Sequence, residues 1–147
     1  MGIVDERKKR ILTTHVGSLP RRADVSEMMV EQLDGRPVDA RKYESAVRDA
    51  VKECVEWQQK LDIDIISDGE QSKPSFSDYV HERLGGLQHR SRSLPGRTQT
   101  KEIRDYPEFY RNGHSGTRPP GAECIGPLNY VGLDILNRDL ENLKEAV

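Results

Sequence analysis

Residues 63–76 read IDIISDGEQSKPSF, and this stretch decides the predicted fold. The apolar run Ile63–Ile66 follows a helical pattern and precedes a Gly and a fresh helix start, which is typical of a parallel strand covered on both faces. Ligands of α/β sheets bind at the carboxyl ends of such strands, which is where Asp68 and Glu70 lie. The alternative is that one of these carboxylates caps the next helix or is a solvated loop charge.

The elements around this stretch alternate between strands and helices. A first strand is predicted at Ile11–Val16 because ILTTHV is β-branched and ends in Gly-Ser-Leu-Pro. A short helix is predicted over Val25–Leu33. A stronger one follows, with Asp39 as its N-cap and apolar residues at helical spacing up to Leu61. It leads directly into the strand at Ile63–Ile66.

The second half of the chain predicts one more unit after a long connection. Apolar residues from Phe76 to Leu87 continue a helical face that ends at Gly85-Gly86. Residues 88–120 form a basic, Gly- and Pro-punctuated excursion, read either as a solvated loop or as a site for an anionic ligand. Residues 121–147 then predict a strand, AECIGPLNYV, and a helix with leucines at spacings of three and four.

This order predicts an α/β fold made of three consecutive βα units. Residues 11–87 hold the first two units, and residues 121–147 hold the third. A TIM (β/α)8 barrel has eight such units, so the prediction is an incomplete barrel that forms one partial domain over residues 1–147. The last helix lacks a sequence stop signal, which indicates a unit that is either cut or continued by another molecule.

Composition limits the classes of partner. Hydrophobic residues make up 34% of the 147 residues and charged residues 33%. This lean composition indicates either a surface that is large relative to the core or a partner that supplies part of the core. The net charge of -2 argues against binding to nucleic acid or to an anionic membrane. No segment resembles a signal peptide or a membrane span, so a cytoplasmic protein is predicted. The two cysteines do not form a C-x-x-C motif.

Three motifs carry a resemblance to a known family. THVGSLPR at 14–21, DIISDGEQSKPSFSDYV at 64–80 and ECIGPLNY at 123–130 resemble, in order, the start of the catalytic barrel of cobalamin-independent methionine synthases. The resemblance implies a TIM barrel methyltransferase in which zinc activates the thiol of homocysteine and methyltetrahydrofolate supplies the methyl group. Zinc suits this task because it lowers the pKa of a bound thiol. Related members act on other thiols and carriers.

The resemblance also implies roles for individual residues. Val16, Gly17 and Ser18 would hold the carboxylate of the amino-acid substrate, and Glu70 would hold its ammonium. The supporting candidates are His15 and Asp68. The alternatives are that Ser18 only caps a turn and that His15 only packs at the end of a strand. No catalytic residue is assigned in this chain.

Zinc ligands cannot be assigned in this sequence. The family's His, Cys, Glu and Cys ligands lie on later strands than those present here. Cys54 lies on the apolar face of a helix, and Cys124 and His114 do not have metal-site spacing.

Two functional hypotheses follow. In the first, the chain is part of a heteromeric zinc-dependent methyltransferase, is inactive alone, and needs a complementary chain that carries the rest of the barrel. In the second, it is a non-catalytic amino-acid-binding or regulatory module that forms a homo-oligomer.

Overall fold

The computed structural model describes residues 10–89, 101–109 and 122–147. The chain divides into two compact units: unit 1, Met1–Tyr79 with Gly132–Val147, and unit 2, Val80–Val131. Much of the predicted excursion at 88–120 lies outside the described residues. The fold is α/β, and its elements in chain order are α1 (Ala23–Leu33), α2 (Ala40–Lys60), α3 (Phe76–Arg83), β1 (Leu84–His89), α4 (Lys101–Asp105), α5 (Pro107–Phe109), β2 (Ala122–Tyr130) and α6 (Leu133–Ala146).

Helix α2 begins at the predicted cap. The Asp39 carboxylate accepts hydrogen bonds from the backbone N–H groups of Arg41, at 2.9 Å, and Lys42, at 3.1 Å. These are donors that the first turn of a helix leaves without an intrahelical partner. The predicted N-cap is therefore confirmed. The buried face of α2 consists of Ala46, Val47, Ala50, Val51, Cys54, Val55 and Gln58.

The core of unit 1 lies between helices. Val25, Met28 and Met29 of α1 are buried together with the apolar face of α2, and Leu143 and Ala146 of α6 pack against this cluster. The predicted helices at Val25–Leu33 and near the end of the sequence are confirmed by α1 and α6. Burial of these apolar side chains is the main force that holds the three helices together.

The two predicted parallel strands are reduced to a single bridge. Thr14 pairs with Ile65 in parallel, and the Ile65 N–H donates to the Thr13 carbonyl at 3.1 Å. Side chains take the place of further ladder bonds: the Thr13 N–H donates to the Asp64 carboxylate at 2.8 Å, and the Thr14 hydroxyl donates to the Ile65 carbonyl at 2.9 Å. The parallel direction agrees with the prediction. Within residues 11–16 and 63–66, the pairing is limited to this bridge, and the two side-chain bonds provide partners for neighbouring backbone groups.

Unit 2 contains a pairing that differs from the sequence prediction. The helix predicted to continue to Leu87 ends at Arg83, and β1 pairs antiparallel with β2. Gly86 has φ +83°, and a Cβ atom there would lie 2.4 Å from the Pro127 carbonyl oxygen, so glycine permits this close approach. The predicted strand at β2 is present, but its observed partner is β1 rather than a parallel strand. A barrel of three parallel units therefore stays a prediction.

Within residues 10–89, 101–109 and 122–147, helices long and apolar enough to cross a lipid bilayer are absent.

Candidate functional site

Two loops of unit 1 meet beyond the carboxyl ends of the paired segments. The first loop, residues 17–21, follows the segment that contains Thr14, and the second, residues 68–73, follows the segment that contains Ile65. The Leu19 N–H donates to the Gly69 carbonyl at 3.0 Å and fixes one loop against the other. In α/β sheets, ligands bind beyond the carboxyl ends of parallel strands, which is the position of these loops relative to the bridge.

The structure brings together two of the side chains that the sequence singled out. The Ser18 hydroxyl donates to Oε2 of Glu70 at 2.6 Å, although the two residues are 52 positions apart. Ser18 is exposed, and Glu70 is half-buried. The pair places one carboxylate and one hydroxyl at the surface of the two loops, where a ligand can reach them.

Glu70 has an unusual backbone conformation. Its φ is +55°, in the left-handed region that side chains other than glycine seldom adopt, and it follows Gly69 at φ +59°. The Glu70 N–H donates to Oδ1 of Asp68 at 2.9 Å, and the Glu70 carbonyl accepts from the Lys73 N–H at 3.0 Å. These bonds hold the turn that orients the Glu70 side chain.

Arg21 joins the two loops through one nitrogen atom. Its Nη2 donates to the Glu70 carbonyl at 3.1 Å, to the Lys73 carbonyl, and to the Ser18 hydroxyl at 3.3 Å. The sequence analysis missed this residue. A bond from a side chain to backbone carbonyls about 50 positions away leaves no local sequence signal, and GSLPR only places an arginine near the loop.

Lys73 was also missed, and it lies in a small charged cluster. Its Nζ is 2.5 Å from Asp68 Oδ2 and 3.9 Å from Asp139 Oδ2. The Ser72 hydroxyl donates to Asp139 at 2.8 Å, so the second loop is tied to α6. These charged side chains are only 9–19% exposed, so water screens the attraction between them less than it screens surface ion pairs.

Two buried side-chain amides, from Gln58 of α2 and Gln71 of the second loop, help to fix the two loops. The Gln58 side chain of α2 donates to the Ser67 carbonyl at 2.8 Å and accepts from the Ser67 N–H at 3.0 Å. Gln71 is 1% exposed, and its amide lies 3.4 Å from the carbonyl oxygens of Leu19 and Pro20. Both glutamines satisfy backbone groups that would otherwise be buried without partners.

The remaining predicted residues surround the first loop. Val16 is 87% exposed, and Gly17 has φ +91° with open space where a Cβ atom would lie. His15 is half-buried, and its Nε2 finds no hydrogen-bond partner in the part of the chain that the structure describes. Among the described residues, His15 does not form a hydrogen bond with Ser18 or Glu70.

The cysteines do not fit a zinc site. Burial raises the pKa of the Cys54 thiol, and the Gln58 hydrogen bond offsets this effect only in part. Cys124 is exposed, and its thiol is 3.2 Å from the Gly126 carbonyl. Among the described residues, groups of three or more His, Cys, Asp or Glu side chains that could hold a metal ion are absent. The residues present thus do not match the thiolate and imidazole set that zinc prefers.

Comparison with known proteins identifies relatives with one shared activity. The chain is 32% identical over 74 residues to 5-methyltetrahydropteroyltriglutamate–homocysteine methyltransferase of Streptomyces griseus, a match that covers 50% of this chain and 9% of that protein. The Arabidopsis thaliana enzyme of the same name, numbered 1, is 30% identical over 75 residues, covering 51% of this chain and 10% of its own length. The chain therefore spans about a tenth of these curated relatives.

A solved structure extends the likeness beyond sequence. A B12-independent methionine synthase from Shewanella sp. W3-18-1, in complex with selenomethionine, matches 92% of this chain and 34% of its own, with a TM-score of 0.56 and 25% identity. Residues 11–100, more than half of the chain, match the family described as "Cobalamin-independent synthase, Catalytic domain". The predicted resemblance is confirmed, and the chain belongs to the cobalamin-independent synthase family.

Proposed function

We propose that this chain contributes the amino-acid-binding part of a methionine-synthase-like S-methyltransferase. The observation that carries the proposal is the 2.6 Å contact between Ser18 and Glu70 at the meeting point of the two loops. Because the Ser18 hydroxyl occupies Oε2 of Glu70, the carboxylate is oriented and Oε1 is the atom that would receive a ligand ammonium. Segment 16–18 would hold the ligand carboxylate.

The chemistry of this pair suits an α-amino acid. An anionic carboxylate binds an ammonium through charge-assisted hydrogen bonds, which are stronger than neutral ones. Binding both ends of the amino-acid backbone would orient its side-chain thiol for attack on a methyl group. The substrate would be homocysteine or a related thiol, and methyltetrahydrofolate would be the donor. The names of the curated relatives, which are 5-methyltetrahydropteroyltriglutamate–homocysteine methyltransferases, support both assignments.

Zinc would be supplied from outside this chain. When bound, it would lower the pKa of the substrate thiol, but the described residues do not fit it, so we assign no step of the reaction to zinc here. We propose that a complementary chain carries the zinc ligands and the rest of the barrel, which makes the active protein a cytoplasmic heteromer. The chain spans only 9–10% of the length of the curated proteins that it matches.

A second candidate is a non-catalytic amino-acid-binding or regulatory module that forms a homo-oligomer. The exposed apolar side chains of β2 favour it, since Ile125 is 63% exposed and Leu128 is 58% exposed. Such a module would bind an amino acid without transferring a methyl group. Methyl transfer by the purified assembly separates the two candidates.

The test of the proposed function is the Glu70→Gln variant of the assembled protein. Glutamine keeps the size of the side chain but removes the charge, so affinity for L-homocysteine should fall about tenfold or more, while zinc content stays unchanged. Isothermal titration calorimetry measures the affinity. Glu56→Gln on the exposed side of α2 is the matched control and should bind normally. Unaltered affinity in Glu70→Gln would refute the assignment.

A further inference from the structure

Glu70 adopts a conformation that its own chemistry disfavours. A residue with a Cβ atom is destabilised at φ +55°, and such residues persist only where the surrounding structure holds them. If the backbone of Glu70 relaxed, its carboxylate would turn away from Ser18. The recognition of an ammonium would therefore depend on whatever fixes this backbone.

On the carbonyl side, a side chain of the other loop adds to the bond from the Lys73 N–H. Arg21 reaches across about 50 positions to the carbonyls of Glu70 and Lys73, and the same Nη2 atom lies 3.3 Å from the Ser18 hydroxyl. Guanidinium is a charged donor, and its hydrogen bonds are about twice as strong as neutral ones. Both bonds to carbonyls are half-buried, so water competes with them less than it would at the surface.

We propose that Arg21 is a positioning residue that locks Glu70 in its left-handed conformation and so sets the affinity of the site for the ammonium group of an amino acid. The inference rests on the proposed function, because it assumes that Glu70 binds an ammonium. Arg21 acts through Glu70 and does not itself contact the ligand. Its removal should lower the affinity only for ligands that carry an amino group.

The test compares two probes that differ in the amino group. L-methionine carries it, and 4-(methylthio)butanoate lacks it. In the assembled protein, Arg21→Ala should lower the affinity for L-methionine about tenfold or more. The affinity for 4-(methylthio)butanoate should change by less than about twofold. The double variant Arg21→Ala/Glu70→Gln should bind L-methionine no more weakly than Glu70→Gln alone, since both changes remove one interaction.

The neighbouring arginine provides a matched control. Arg22 is exposed, and its described ion pair is with Asp24 at 2.8 Å, outside the two loops. Arg22→Ala should leave both affinities unchanged. If Arg21→Ala does not fold, Arg21→Lys replaces it. Lysine keeps the charge on a compact ammonium without the guanidinium fork, so we expect a smaller loss that is again confined to L-methionine.

The results of these experiments test two claims separately, the positioning role of Arg21 and the binding of an ammonium by Glu70. Equal loss for both probes, or no loss for either, would overturn the role of Arg21, as would additive losses in the double variant. If the unsubstituted protein binds the two probes equally well, ammonium recognition by Glu70 is wrong and the proposed function fails first. The inference is supported if Arg21→Ala lowers only the affinity for L-methionine and the losses of affinity are not additive in the double variant.

Discussion

Gly69 and Glu70 form two successive residues in the left-handed region, and they determine where the carboxylate points. Gly69 is required for a second reason: a Cβ atom there would lie 2.5 Å from Sγ of Cys54 and 3.1 Å from Cβ of Leu19. The turn therefore lies directly on α2 and on the first loop. The residue before Glu70, the proposed binding residue, therefore has to be a glycine.

Gly69→Ala should destabilise the protein by about 2 to 4 kcal/mol, because it adds steric overlap with Cys54 to an unfavourable backbone conformation. Gly35→Ala is the control: φ there is +72° with open space around the Cβ position, so only the conformational cost of about 1 kcal/mol applies. Urea unfolding measures both. Equal losses would show that the contact with Cys54 does not matter.

Asp64 links stability to acid pH. Hydrogen bonds from the Arg10 guanidinium and from the backbone N–H of Thr13 hold the pKa of Asp64 well below its ordinary value. Because the folded pKa is the lower one, this contribution is present above the unfolded value of about 3.9 and is lost as pH falls from there toward the folded value.

Asp64→Asn should therefore lower the melting temperature at neutral pH, since the asparagine cannot form the ion pair with Arg10. The difference from the unsubstituted protein should shrink as pH falls below about 4, where the charge that the mutation removes is already being lost. Melting curves between about pH 3 and pH 7 check this expectation. A difference that is constant over the whole range would contradict it.

Among the elements, α2 shows why some of the structure could be predicted from sequence. Its cap at Asp39 and its apolar spacing are local signals, and both match the observed helix Ala40–Lys60. Strand β1 shows the opposite case. Leu84 and Leu87 fit a helical face, but the strand depends on pairing with β2 about 40 positions later, and local periodicity does not contain that pairing.

The same distinction applies to the candidate site. Glu70 was singled out because it follows the apolar run Ile63–Ile66, and Ser18 because the motif THVGSLPR resembles the family. Arg21 and Lys73 act through backbone carbonyls and buried carboxylates that only the folded chain brings near. The proposed binding residues could thus be identified in the sequence, whereas the residues that hold them could be identified only from the tertiary contacts.

Val55→Ala tests the central role of α2 in unit 1. Val55 is fully buried, so removing two methyl groups should cost about 2 kcal/mol of unfolding free energy through lost burial and a residual cavity. Val30→Ala on α1 is the control, since Val30 is 47% exposed and should cost less than about 0.5 kcal/mol. Comparable losses in urea unfolding would contradict the assigned core.

At the scale of the whole molecule, we propose that amino-acid recognition and metal binding lie in different chains. Unit 1 contains the two loops and their contacts with α2 and α6, and its described residues contain no group of side chains that could hold a metal ion. The chain matches 34% of a solved methionine synthase chain. The central claim is that recognition lies in this chain and zinc lies in another.

Native mass spectrometry with metal analysis, on the protein purified from its own cells, tests this claim most directly. The account predicts a heteromer that carries about one zinc ion per assembly, with the zinc retained by the complementary chain when the two are separated. A metal-free homo-oligomer or monomer, or zinc that stays with this chain alone, would contradict it.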